Sequence, residues 1–196
     1  YDGGITKTFG EKLSITATYF SRRVHNLIVT VPAPGPPFGA MAGNAGRVDT
    51  QGVEFAPTFS PLRGLLMSGN FTFIDQSHVS PEPGEEPTRV PKYAAAATMQ
   101  YVHSDLLTDR DNMTAAVQYT FVGDRDDITT AGTIANHVAY HRVDLALSYS
   151  PGVRLGWILD EQMVAKVENV FDRHYSEAFG FPAPPVNFVA GVKLTF

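Results

Sequence analysis

Apolar and polar residues alternate at every second position along most of this sequence, and no long segment carries an apolar stripe at helical spacing. A period of two is the repeat of a β-strand, whose successive side chains point to opposite faces. The chain is therefore expected to be all-β. In the last segment Val186, Phe188, Ala190, Val192, Leu194 and Phe196 share one face, while Asn187, Val189, Gly191, Lys193 and Thr195 share the other. Earlier segments repeat the pattern. Ala139, Val143, Leu145, Leu147 and Tyr149 oppose Tyr140, Arg142, Asp144, Ala146 and Ser148, with His141 the exception on the apolar face. Leu65, Met67, Gly69, Phe71 and Phe73 oppose Leu66, Ser68, Asn70, Thr72 and Ile74.

A soluble sandwich and a membrane barrel both produce such alternation, so the connections have to separate them. Strands are expected near 1–9, 13–31, 44–60, 63–78, 91–103, 112–124, 137–150, 161–171 and 185–196, about nine in all. The gaps between them alternate. Gly10 to Lys12 and Ser60 to Leu62 are tight, and Ser104 to Asp111 and Pro151 to Asp160 are moderate. Pro32 to Gly43, Ser80 to Val90, Arg125 to Asn136 and Ser176 to Pro184 are longer and rich in Pro, Gly or charge. Outer-membrane barrels show this asymmetry, with short periplasmic turns and longer outer loops. Aromatics near the strand ends, among them Tyr19, Phe20, Tyr101, Phe121, Tyr149 and Tyr175, suit interfacial girdles.

Composition removes several function classes. A net charge of -5 with no local basic cluster gives no footprint for nucleic acid. With no cysteine there is no disulfide framework, thiolate metal site or cysteine nucleophile. No apolar run reaches the roughly 18 residues of a transmembrane helix, but a barrel strand needs only about 9–11. His25, His78, His103, His137, His141 and His174 are scattered, and His137 and His141 would sit about 13 Å apart on one strand face, too far for one ion. No Gly-x-Ser-x-Gly elbow or phosphate-loop pattern is present. Neither an enzyme nor a bound cofactor is expected.

Three ordered stretches resemble the TonB-dependent outer-membrane receptor family. Asn44-Ala45-Gly46-Arg47-Val48-Asp49-Thr50-Gln51-Gly52-Val53-Glu54-Phe55 is similar to its Asn-rich lead into a Gly-Val-Glu strand, and Arg89-Val90-Pro91-Lys92-Tyr93 to its Pro-containing strand start. Val167-Glu168-Asn169-Val170-Phe171-Asp172-Arg173-His174-Tyr175 is similar to its Asn-Leu-Phe-Asp-Lys-Tyr signature, and a strand ending in Phe196 follows. One departure is Pro182-Ala183-Pro184-Pro185, where the family usually has Pro-Gly-Arg. The resemblance implies the C-terminal part of a large antiparallel transmembrane β-barrel, from a parent of about 22 strands. Residues 1–196 are then expected to be a partial barrel domain, with plug and signal peptide elsewhere, since strand character is already under way at Tyr1-Asp2-Gly3-Gly4.

The resemblance further implies energy-dependent uptake of a scarce nutrient, such as an iron-siderophore complex or cobalamin, across the bacterial outer membrane. Implied partners are outer-membrane lipid, the TonB energy-transducing complex acting through the plug, the outer-membrane insertion machinery and a small metal chelate or vitamin. A passive porin and a soluble β-sandwich binding module are the alternatives. Glu54, Lys166, Glu168 and Lys193 fall on polar faces and are expected in the lumen wall. Asp124, Arg125, Asp126 and Asp127 open an outer loop and are expected to be solvated there. Val192, Leu194 and Phe196 resemble a terminal assembly signal. Asn169 is placed to bond backbone groups where a strand meets a loop, and Gly52 to relieve crowding in its strand.

Overall fold

A computed structural model describes residues 1–26, 28–32, 40–44, 47–80, 89–129, 133–152 and 160–195. No helix occurs among them. The strands are β1 (Asp2–Phe9), β2 (Leu13–His25), β3 (Ile28–Pro32), β4 (Ala40–Asn44), β5 (Arg47–Phe59), β6 (Leu65–Ser80), β7 (Tyr93–Ser104), β8 (Asn112–Val122), β9 (Arg125–Ile128), β10 (Ile134–His137), β11 (Tyr140–Ser150), β12 (Asp160–Glu168), β13 (Ser176–Ala178), β14 (Phe181–Pro182) and β15 (Asn187–Thr195).

Nine of these form one antiparallel sheet in the order β1-β2-β5-β6-β7-β8-β11-β12-β15. Each pairs with the sheet strand that follows it, so successive connections fall at alternate ends. The short connections gather at one end and the long ones at the other, as the gap lengths predicted. Three of the long connections carry a hairpin of their own, β3 with β4, β9 with β10 and β13 with β14. The strand expected over 13–31 is thus two strands, because Asn26 turns the chain with a φ of 56°.

Register settles which side chains share a face. Phe9, Leu13, Phe59, Met67, Met99, Val117, Leu145, Val167 and Phe188 are consecutive cross-strand partners and form one apolar row across the whole sheet. One residue along, on the opposite face, runs Thr8, Ser14, Thr58, Ser68, Thr98, Gln118 and Asp144. A one-residue slip would exchange these faces, so the two rows specify one register. No second layer covers the apolar face: among the described residues only Val48 and Tyr140 are buried hydrophobics. Phe188 is 77% exposed and Val192 67%. A soluble sandwich packs two inner faces into a shared core, and no such core is present among the described residues.

Gly52 shows why its strand tolerates no side chain there. It pairs across from Phe20, and a Cβ would meet the Phe73 carbonyl and lie 2.5 Å from the Phe20 ring. The ring of Phe20 fills the space left by the missing side chain.

At the short-connection end, Asp111 organises the reversal between β7 and β8. Its carboxylate accepts from the amides of Leu106 at 2.6 Å, Leu107 at 2.7 Å and Thr108 at 3.1 Å, and from the Tyr149 hydroxyl at 2.9 Å. Burial pushes the carboxyl pKa up, but the donors outweigh it and hold the group below the ordinary carboxylate range. A lowered folded-state pKa gives stability that is present above the unfolded value and lost as pH falls through the folded one. Acidification is therefore expected to speed amide exchange at Leu106, Leu107 and Thr108, corrected for intrinsic rates, in the intact receptor. In Asp111→Asn, which keeps one acceptor oxygen but no titrating group, protection of these amides should fall part of the way and lose that pH dependence.

Candidate functional site

Beyond the long-connection end of the sheet, buried polar groups join segments far apart in sequence. Asp127 is fully buried. Its Oδ1 accepts from Arg89 Nε at 2.6 Å, its Oδ2 from the Phe179 amide at 2.7 Å, and His137 Nε2 lies 3.2 Å from the same Oδ2. The Arg89 amide also donates to the Asp126 carbonyl. One carboxylate thus ties together the connection before β7, the β9–β10 hairpin and the β13–β14 hairpin.

Arg125 completes the clamp. Its Nη2 donates to the carbonyls of Ser176 at 3.3 Å and Glu177 at 2.9 Å, and its guanidinium lies 5.8 Å from the Tyr140 ring centroid. Tyr140 stacks on Tyr175 with centroids 4.0 Å apart and donates to Glu177 Oε1 at 3.2 Å. Charge, aromatic stacking and backbone carbonyls therefore hold β13–β14 against the start of β11.

A second set lies just inside the sheet end. Arg142 Nη1 donates to the Tyr175 hydroxyl at 3.1 Å, and its Nη2 lies 3.0 Å from Asp144 Oδ2. Asp144 Oδ1 accepts from the Asn169 amide at 2.9 Å. Asn169, at a φ of 53°, donates through Nδ2 to the carbonyls of Arg173 and Pro184 and accepts from the Arg173 amide. This is the backbone-bonding role expected of Asn169 where β12 meets its loop.

The other singled-out residues fall as follows. Glu54, Lys166, Glu168 and Lys193 lie on the same face as the polar row, and Lys166 and Glu168 form an ion pair. Val192 and Leu194 lie on the apolar face of β15, whereas Phe196 is outside the described residues. The charged run divides: Asp124 and Asp126 are exposed, while Arg125 and Asp127 are buried. Solvation was expected for all four, but β9 alternates its faces, which turns two of them inward. Sequence reading passed over Arg89, His137, Tyr140, Tyr175 and Glu177 as members of this cluster. Among the described residues no group of three His, Cys, Asp or Glu side chains could hold a metal ion.

A single antiparallel sheet with one bare apolar face, one polar face and long loops gathered at one end defines a segment of outer-membrane β-barrel wall. A family profile described as TonB dependent receptor-like, beta-barrel matches residues 1–170. The chain belongs to that family, whose members are bacterial outer-membrane receptors and transporters rather than enzymes.

Solved structures share the fold. The copper transporter OprC superposes with a TM-score of 0.73 at 18% identity, over 97% of this chain and 30% of that one. BauA, the ferric preacinetobactin receptor from Acinetobacter baumannii, gives 0.70 at 16% identity, over 97% and 28%. The FrpB iron transporter from Neisseria meningitidis (F3-3 variant) gives 0.66 at 14% identity, over 97% and 30%. The chain thus spans under a third of the length of these proteins. No curated protein matches the sequence.

Proposed function

We propose that this chain forms barrel wall and outer loops of a receptor that takes up a scarce metal ion, metal chelate or vitamin across the outer membrane, driven through TonB. The single observation that supports this most is the bare apolar row from Phe9 to Phe188 backed by a polar row. In such a wall the apolar face meets hydrocarbon and the polar face meets the lumen. Glu54, Lys166, Glu168 and Lys193 then line the lumen, and the long connections lie outside the cell. In this reading a plug domain closes the lumen and carries the TonB contact. The β15 strand, with Val192 and Leu194 alternating toward Phe196, serves as the assembly signal, because an edge strand can add to another sheet through its backbone. Ferric chelates and cobalamin are the substrates to try first, in keeping with the copper and iron proteins of the same fold.

Uptake separates this reading from a passive porin. Cells carrying the intact gene should accumulate one labelled chelate or cobalamin, and removing TonB or collapsing the proton-motive force should abolish that accumulation. Accumulation that survives both treatments would make the protein a passive channel.

A further inference from the structure

The alternation of β15 does not by itself say where that strand pairs. One face carries Phe188, Ala190, Val192 and Leu194, and the other carries Val189 and Gly191 beside Asn187, Lys193 and Thr195. A slip of two residues along β12 would return every one of these side chains to the face it left, because the repeat of a strand is two. Face pattern forbids a slip of one and is blind to a slip of two. Between β2 and β5 the fit of Phe20 into the gap at Gly52 removes that freedom, whereas a Cβ at Gly191 would meet nothing within 4 Å. Short connections also fix register, but β15 is joined to β12 through residues 169–186.

The segment from Asn169 to Arg173 supplies the missing constraint. Asn169 Nδ2 donates to the Pro184 carbonyl at 3.2 Å, and the Val186 amide donates to Asp172 Oδ1 at 3.0 Å. These bonds hold the chain on both sides of Pro185, just before the first pair of the ladder, Glu168 with Asn187. Asn169 is itself fixed, since its side chain is buried, its amide donates to Asp144 on β11 and its Oδ1 accepts from the Arg173 amide. Asn169 and Asp172 have φ of 53° and 47°, a region that Asn and Asp enter more readily than other residues with a side chain. The Ala183 amide donates to the Tyr175 carbonyl at 2.9 Å and anchors the far side of the strap. Between these anchors the rings of Pro184 and Pro185 fix φ, so the strap has no slack to lend the strand. A slip that drew Pro185 opposite Glu168 would also put a residue without an N–H into the ladder.

We propose that Asn169, Asp172 and the Pro184-Pro185 pair form a register lock for β15. The prolines block the slip that draws the strap into the sheet, and the two side-chain bonds block the slip that feeds the strand into the strap. Stagger between strands sets the tilt and diameter of a barrel, so the lock fixes how β15 presents its other edge for pairing. It rests on the sheet alone and is independent of what the receptor carries.

The test combines Ala165→Cys in the intact receptor with Ala190→Cys, its observed partner, or with Phe188→Cys or Val192→Cys, which a slip of two in either direction would bring opposite. Direct cross-strand partners lie about 4.5–5.5 Å apart and diagonal ones about 7–8 Å. Oxidation of folded receptor in vesicles therefore reads the register. With the lock intact, 165–190 should cross-link several-fold more than either other pair. Asn169→Ala with Asp172→Ala should move cross-linking to 165–192, and adding Pro184→Ala and Pro185→Ala should bring in 165–188. Asp172→Asn keeps an acceptor oxygen and should keep the original pattern. Asp172→Ala alone loses only an exposed bond and leaves the buried Asn169 in place, so it should fold and should already raise 165–192 several-fold. Folded Asp172→Ala with an unchanged pattern, or equal cross-linking of all three pairs with the lock intact, would overturn the proposal.

Discussion

Asp127→Ala is expected to unpin three outer connections at once while leaving the sheet beneath them in place. The substitution removes the acceptor shared by Arg89 and the Phe179 amide and the neighbour of His137. An orphaned donor costs up to about 1–3 kcal/mol when buried, and Arg89, which is half exposed, and Phe179, whose bond to Asp127 is part-buried, recover some of that loss from water. The opening free energy of the β13–β14 hairpin should fall by the lower part of that range, so protection of the Phe179 amide drops roughly tenfold. Asp127→Asn keeps an acceptor for that amide and should fall between the two. Hydrogen exchange resolved to residues 176–182 reads the effect, with amides of β8 and β11 as the internal control. A change shared equally by hairpin and sheet would mean that Asp127 supports the whole wall rather than its loops.

Leu145→Arg is expected to destabilise the intact barrel in a lipid bilayer by about 2–4 kcal/mol, the cost of an arginine near the midplane on the hydrocarbon side. Leu145 lies in the continuous apolar row, between Val117 and Val167. Gln118→Arg is its counterpart on the other face, opposite Asp144, and should be nearly neutral. Reversible urea titration in vesicles compares the two. Equal losses would remove the distinction between a lipid face and a lumen face.

What the sequence made legible was set by local rules. Alternation of side chains needs only neighbouring residues, so the nine sheet strands and their faces could be read directly. Tight and long gaps could be read as well, because Gly, Pro and charge mark where pairing stops. Asn169 was legible for the same reason: its bonds reach Arg173, four residues on, as well as Pro184.

The loop-end cluster was not legible, since its partners are chosen by tertiary placement. Asp127 meets Arg89 across 38 residues and the Phe179 amide across 52. Nothing local to Asp124, Arg125, Asp126 and Asp127 marks two of these charges as buried, and a run of charge reads most simply as solvated loop. One signal was available. A period of two applied to that run separates Arg125 and Asp127 from Asp124 and Asp126, and that is the division the β9 strand makes.

The central claim is that one face of this sheet touches hydrocarbon and the other an aqueous lumen. Nitroxide side chains placed singly at positions 142 to 149 of β11 in the intact, vesicle-embedded receptor test it most directly, by comparing collisions with oxygen, which concentrates in lipid, and with a water-soluble nickel chelate. Positions 143, 145, 147 and 149 should favour oxygen and positions 142, 144, 146 and 148 the nickel chelate, a strict period of two. Uniform accessibility along the strand, or the same alternation with its phase inverted, would contradict the account.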